Sequence, residues 1–488
     1  MDRDPTDDGV TPDAKPHLRP EAGPFERRFG HPPGLAVLFM AEMWERMSYY
    51  GMRALLVLYM TDFLFATQRT TYSGGAKITV AGDPHAVVGL DTVRVVLERV
   101  FGVLTNDGLA SQIYGLYTGF VYLTPILGGI LADRYFGQRK TVVVGGAIMV
   151  VGQFVLMVDR LFFLGLLILI LGNGLFKPNV STQVGDLYPE GDPRKDRAYS
   201  VYYVGINVGA ALGALVCGGI GQTYGWGYGF ASAGVGMILG LVQYWHGQKY
   251  LAPQAPIVRK KDGVKVPVAK EPGEKGRIVA LLVLCALNIV FWGVYEQQGN
   301  TMQLWADRNT NWPTLFGWTM PSTFFQAFNP LIIFTATPLL TALWAWQAKR
   351  KSEPSSITKM AIGCVILGAS FLVMIAGARL IGDAPDAKGS LFWPFTCTVF
   401  LTIGELYLSP IGLSLVSKVA PRRMLNMMMG VWFLSSFFGN YMSGWLGTYY
   451  DRMPKSAFFG MLCALGIASG VAIFVVAPPL KKAVGHDV

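Results

Sequence analysis

The chain has 488 residues, of which 52% are hydrophobic and only 15% charged, with 58 glycines and a formal net charge of +10. Ordinary globular domains carry about 25% charged residues, so this composition excludes one and describes a chain that crosses a bilayer repeatedly. The mean hydropathy of +0.38 agrees.

Residues Met1 to Pro33 form a polar, proline-rich leader of mixed charge. It lacks the apolar core and small-residue cleavage site of a secretory signal and is expected to be unstructured and cytoplasmic. Apolar windows of at least about 18 residues then place helical spans near 34–64, 111–132, 141–159, 161–187, 197–222, 228–246, 277–302, 327–348, 357–379, 391–418, 424–449 and 456–479, twelve in all. The long segment 65–110 contains Thr92 to Leu104, which reads as a short amphipathic helix resting on the outer lipid surface or on helix ends. Segment 247–276 is rich in Lys, Pro and Gly and has no apolar run of span length, so it reads as a linker. It divides an N-terminal bundle, 34–246, from a C-terminal bundle, 277–479, and a cytoplasmic tail, 480–488, follows.

Basic residues set the orientation. On this plan 28 of the 41 Lys and Arg residues fall on the side of the two termini and 10 on the other, so both termini are expected to be cytoplasmic, in the cell's inner (plasma) membrane. The positive charge then faces anionic lipid headgroups, not nucleic acid. The three remaining cations, Arg46, Arg53 and Lys177, lie inside spans.

The first span is unusual. At about 100° per residue, Glu42, Glu45, Arg46, Tyr49 and Arg53 fall on one stripe running roughly 17 Å along the helix. Each charge at a bilayer centre costs at least about 2.5–3.5 kcal/mol, so these groups must face water, a solute or one another inside a helix bundle. A merely solvated soluble helix is the bland alternative, but Ala36 to Met40 and Ala54 to Met60 are apolar on every face. The five cysteines all fall within spans without metal-ligand spacing and are expected to be free. No histidine lies mid-span, so a proton carrier in the bundle must be a carboxylate.

Six plus six spans around a basic central loop is the layout of a major facilitator transporter, whose two pseudo-symmetric halves rock about a midplane site. The segment from Gly128 to Lys140, GGILADRYFGQRK, resembles the cytoplasmic signature of that superfamily. Within it, Glu42 to Arg53 (EMWERMSYYGMR) resembles the ExxERFxYYG signature of the proton-dependent oligopeptide transporters, with Met47 where Phe is usual. Gly174 to Ser181 (GLFKPNVS), Tyr202 to Gly209 (YYVGINVG) and Gly404 to Pro410 (GELYLSP) resemble three further blocks of that family in the right order. Linker 247–276 is too short for the two extra helices that many bacterial relatives insert there.

The resemblance implies proton-coupled symport of di- and tripeptides by alternating access, with protons as the coupling ion and no other cofactor or metal. By matched position, Arg46 and Lys177 would hold the peptide carboxylate near Tyr50 and Tyr122. Glu405 would hold the ammonium, assisted by Asn207 and Asn329, with Ser409 and Trp432 as pocket walls. Arg53 and Glu296 would pair at the outer gate, Lys177 and Glu405 would pair when the site is empty, and Glu42, Glu45 and Glu296 would carry the coupling proton. The charge layout suits such a solute on its own terms. A peptide with varied side chains offers only its two charged ends as constant features, and here the cations belong to one half and Glu296 and Glu405 to the other. The chain is expected to act as a monomer. A major facilitator carrier of nitrate, sugar or drugs is the alternative within the fold; a membrane-embedded enzyme is the alternative from another class, and no HExxH, GxSxG or phosphate-cradling glycine loop is present.

Overall fold

The computed structural model describes residues 23–189, 191–253, 273–382, 384, 387–421 and 424–484. Every expected span is a helix. Span 1 is Pro33–Leu58, carried on through a wider turn at Tyr59–Leu64, and span 2 is Asn106–Leu131, carried on through Ala132–Phe136. Spans 3 and 4 are Gln138–Val155 and Phe162–Asp186. Span 5 runs from Arg194–Leu212 through Gly213–Gly218 to Gly219–Tyr224, and span 6 is Trp226–Gly247. Spans 7 to 12 begin with Glu274–Tyr295, Phe325–Lys349 and Ser356–Ile381. They end with Phe392–Val419, Leu425–Gly447 and Lys455–Val484.

Eight of the twelve are long and apolar enough to cross a membrane on length and composition alone. Span 1 falls short because of its interior charges, and spans 3, 6 and 11 because glycine and polar residues dilute them. Helices are the form such segments must take, since hydrocarbon offers no partner to backbone polar groups and a helix satisfies them internally.

The helices pack as two bundles of six. Span 1 lies on spans 5 and 6, span 4 on spans 2 and 3, and span 3 on span 6. Adding six to each number reproduces the second bundle: span 7 on 11 and 12, span 10 on 8 and 9, and span 9 on 12. The halves meet where span 2 packs on span 11 and span 5 on span 8, and these two seams exchange under the same rule. The chain is thus an all-α membrane protein with an internal pseudo-twofold.

Five features differ from the sequence expectation. The leader is not wholly structureless: Pro24–Phe29 is a helix, docked by Arg194 Nη1 donating to Glu26 Oε1 at 2.8 Å. Residues 1–22 lie outside the described residues, as do 254–272 of the linker and 485–488 of the tail; span 12 itself continues to Val484. Segment 65–110 holds the expected outer helix, at Leu90–Phe101, but also an antiparallel hairpin, Gln68–Ser73 with Ala76–Ala81. That hairpin turns on Gly74 and Gly75, both at positive φ, where glycine is unhindered. Span 2 starts at Asn106 instead of 111, because Thr105 Oγ1 caps the amide of Gly108 at 3.0 Å. Span 7 is not straight to 302: it tightens at Glu296–Gly299, breaks at Asn300 and resumes as Thr301–Arg308.

Glycine decides how closely neighbouring spans approach. A Cβ on Gly128 would collide with the carbonyl of Gly174 on span 4, whereas one on the adjacent Gly129 would meet nothing within 4 Å. Gly128→Ala should therefore destabilise by about 1–3 kcal/mol, the usual cost of overpacking, while Gly129→Ala should be neutral. Thermal unfolding of both variants in detergent checks this; equal melting temperatures would show that the bundle absorbs the methyl group freely.

Candidate functional site

A cavity of about 370 Å³ lies between the halves. Tyr50 and Arg53 from span 1, Tyr122 from span 2, Lys177 from span 4 and Asn207 from span 5 line one wall. Glu296 from span 7, Asn329 from span 8, Glu405 and Ser409 from span 10 and Trp432 from span 11 line the other. The structure thus gathers residues that are hundreds of positions apart in the chain, as the motif reading required.

The three residues left out are Glu42, Glu45 and Arg46. Arg46 is only 3% exposed. Its Nη2 donates to Glu45 Oε1 at 2.7 Å, its Nε pairs with Glu45 Oε2, and the same Nε lies 3.3 Å from Glu42 Oε1. Tyr202 donates its hydroxyl to Glu42 Oε2 at 2.5 Å and Asn173 Nδ2 donates to Glu45 Oε1 at 2.9 Å. Arg46 therefore does not line the cavity as a carboxylate clamp in this conformation. Its guanidinium is taken by two carboxylates of its own helix, and the triad as a whole holds one surplus negative charge when both are ionised.

The expected Lys177–Glu405 pair is also not formed. Lys177 Nζ sits 4.8 Å from the ring centroid of Tyr122, a cation–π contact. Glu405 Oε2 accepts from Tyr295 Oη at 2.7 Å and from Asn329 Nδ2 at 2.9 Å. Both donors come from its own half, so the carboxylate is fixed by neutral hydrogen bonds and keeps its charge uncompensated. Asn207, expected to assist it, donates instead to the Tyr203 carbonyl at 3.0 Å.

The Arg53–Glu296 pair is formed, by Nη2 and Oε2, and joins span 1 to span 7. Tyr114 Oη accepts from Arg53 Nε at 2.5 Å. Further contacts between the halves continue outward from it. Ser111 Oγ donates to Asn300 Oδ1 at 2.9 Å. Arg308 pairs with Asp107 and lies 3.1 Å from Asp62, tying span 7 to spans 2 and 1. Gln222 accepts from the Thr323 amide at 3.1 Å and donates to Asp307 Oδ1 at 3.3 Å. This ladder closes the side away from the termini, the one that the count of basic residues assigns to the outside. Sequence reasoning missed its upper rungs because Asp62, Asp107 and Arg308 sit at span ends, where charged residues ordinarily face water.

The family model for the POT family matches residues 139–265 and 254–462. The sequence is 30% identical to an uncharacterized transporter, YclF, of Bacillus subtilis (strain 168), over 93% of this chain and 95% of the relative. The chain belongs to the POT family. A di-/tripeptide transporter of Lactococcus lactis subsp. cremoris is 29% identical to this POT-family chain, over 94% of it and 97% of that relative. A solved glutamate-to-glutamine variant of a peptide transporter POT in complex with alafosfalin superposes with a TM-score of 0.77 at 30% identity, covering 93% of this chain and 96% of that one. A POT family transporter in complex with 5-aminolevulinic acid superposes with a TM-score of 0.76 at 28% identity, covering 93% and 98%.

In this member the outer gate rests on a small residue. A Cβ on Gly299 would collide with Tyr114 Oη and lie 2.9 Å from Arg53 Nη2. Gly299→Ala should push Arg53 off Glu296 and let the outer side part. With the native cysteines replaced and a reporter at Ser111→Cys, alkylation by an impermeant maleimide added outside should be at least several-fold faster in Gly299→Ala. An unchanged rate would show that the closure does not depend on this pair.

Proposed function

We propose that this transporter carries di- and tripeptides into the cell together with protons, alternating access between the two sides of the plasma membrane with both termini cytoplasmic. The observation that carries the reading is the pair of unjoined poles across the cavity: Lys177 on one half, Glu405 on the other. A peptide's carboxylate meets Lys177, beside Tyr50 and Tyr122, and its ammonium meets Glu405, which Asn329 and Tyr295 hold in place. Ser409, Trp432 and Asn207 wall the space left for side chains, and a volume of about 370 Å³ lies within the roughly 300–1,000 Å³ usual for small-molecule sites. The solute leaves unchanged, with protons as the only accessory and one copy of the chain sufficient.

Coupling follows from the ion pair. A proton on Glu296 removes the charge that holds Arg53, so the outer ladder loses its lowest rung and outside access opens. The Glu42–Glu45–Arg46 triad, with its surplus negative charge, is a second place for a proton. A proton entering down 100 mV releases about 2.3 kcal/mol before any pH difference is counted.

A carrier of other small zwitterions is the second reading, favoured by the relative solved with 5-aminolevulinic acid, since two poles do not by themselves require a peptide bond. Purified protein in liposomes under an inward proton gradient should accumulate labelled dialanine. Strong competition by 5-aminolevulinic acid with no dialanine accumulation would favour the second reading.

The poles make separate predictions. Glu405→Gln should abolish uptake of free dialanine, and N-acetylated dialanine should compete poorly with the unmodified protein; equal competition by both would remove Glu405 from the ammonium role. Amidating the peptide's C-terminus should weaken central binding by about 1.5–3 kcal/mol, roughly 10- to 100-fold, and Lys177→Ala should erase that discrimination in uptake along with most of the central site's affinity. Glu296→Gln, a permanent mimic of the protonated state, should lose gradient-driven accumulation but keep peptide exchange. Retained accumulation would move coupling to Glu42 and Glu45.

A further inference from the structure

We propose a second, outer site that captures zwitterionic peptide before the gate opens, in a cavity of about 670 Å³ where the two halves meet above the ladder. The proposal rests on the peptide reading above. This cavity is larger than the central one and repeats its chemistry. Asp307, at the outer end of span 7, supplies a carboxylate, Lys77 and Lys388 supply ammonium groups, and Tyr72, Trp312 and Trp318 supply aromatic faces.

The carboxylate and the two ammonium groups form no ion pair with one another among the described residues. Asp307 Oδ1 accepts from Ser322 Oγ and, at 3.3 Å, from Gln222 Nε2. Its Oδ2 accepts no hydrogen bond from the described residues, and neither Lys77 nor Lys388 pairs with it.

A second observation comes from the rim. The hairpin Thr314–Leu315 with Trp318–Thr319 turns on Phe316 and Gly317, at φ 52° and 82°. Such a turn favours Asn-Gly, and a bulky aromatic at positive φ is an outlier. Yet Phe316 lines the cavity and is fully exposed, at 109%, so its ring gains no packing within the chain that offsets the strained backbone. Strain of this kind marks sites that hold something else.

The floor explains how capture leads to transport. Gln222 belongs to span 5, whereas Asp307, Ser322 and Thr323 belong to the other half. When the outer side parts, these bonds break and the cavity opens onto the central route, so a peptide held by Asp307 stands at the entrance.

Equilibrium dialysis of the purified full chain with labelled dialanine tests this. The unmodified protein should bind two peptides per chain, Lys177→Ala one, and Lys177→Ala combined with Asp307→Asn none. N-acetylated dialanine should fail to displace the peptide that Lys177→Ala retains. A single peptide per chain, lost entirely in Lys177→Ala, would overturn the outer site and leave the transport reading intact; no binding to the unmodified protein would overturn both. Because Asp307 also belongs to the gate floor, the exposed pair Lys77→Ala with Lys388→Ala provides an independent check. In liposome uptake it should raise KM about 10-fold at unchanged kcat, and an unchanged KM would remove the lysines from the site.

Discussion

The Arg53–Glu296 pair is the contact on which the outer closure depends. Both charges are buried between spans 1 and 7, at the edge of the central cavity. Such a pair adds little stability over an apolar contact, but removing one charge strands the other at a cost of about 3–5 kcal/mol. Protonating Glu296 is the reversible form of that removal. The rungs above, from Ser111–Asn300 to Arg308 with its two carboxylates, join span 7 to span 2 and, through Asp62, to span 1. On the proposed cycle they close with the pair, because span 7 carries one partner of each.

The packing explains why a local change in charge becomes a movement of halves. Within each bundle, spans approach until glycine leaves room for nothing else, as at Gly128 against Gly174 or Gly209 against Met43. Helices in such contact do not slide past one another. Between the bundles there are two seams, span 2 with span 11 and span 5 with span 8, related by the pseudo-twofold. A rigid bundle rocking on two equivalent seams can expose either end of the same cavity, as alternating access requires.

Much of this was legible in the sequence, and the failures share a cause. Helical periodicity placed the charged stripe of span 1 on one face, but of that stripe only Arg53 reaches the cavity, beside Tyr50, which the motif supplied. Periodicity cannot say which neighbour a charge will take, and Arg46 took Glu42 and Glu45, four and one residues away on its own helix. Lys177 and Glu405 were placed on facing walls, but whether they touch depends on how the halves are tilted, which no single span records. The outer hairpin had a local signal, Ser73-Gly74-Gly75 between β-branched runs, that window hydropathy averages away. The break in span 7 falls at Gly299 and Asn300, inside an apolar window that reads as continuous.

The difference between how the two poles are held bears on why a carrier returns empty. Lys177 lies over an aromatic face and Glu405 is fixed by an amide and a phenol, so the two poles stand apart on opposite walls of the cavity. Closing the cavity on a bound zwitterion neutralises both poles at once and removes the desolvation cost of burying them. Closing it on nothing would bury two bare charges, unless Lys177 and Glu405 then meet each other. On the proposed cycle the direct pair is therefore the contact of the empty, occluded carrier. In this structure the outer ladder is closed and that direct pair is not formed. A proton on either carboxylate shifts the balance between the two ways of closing, which is how one charge can govern both access and load.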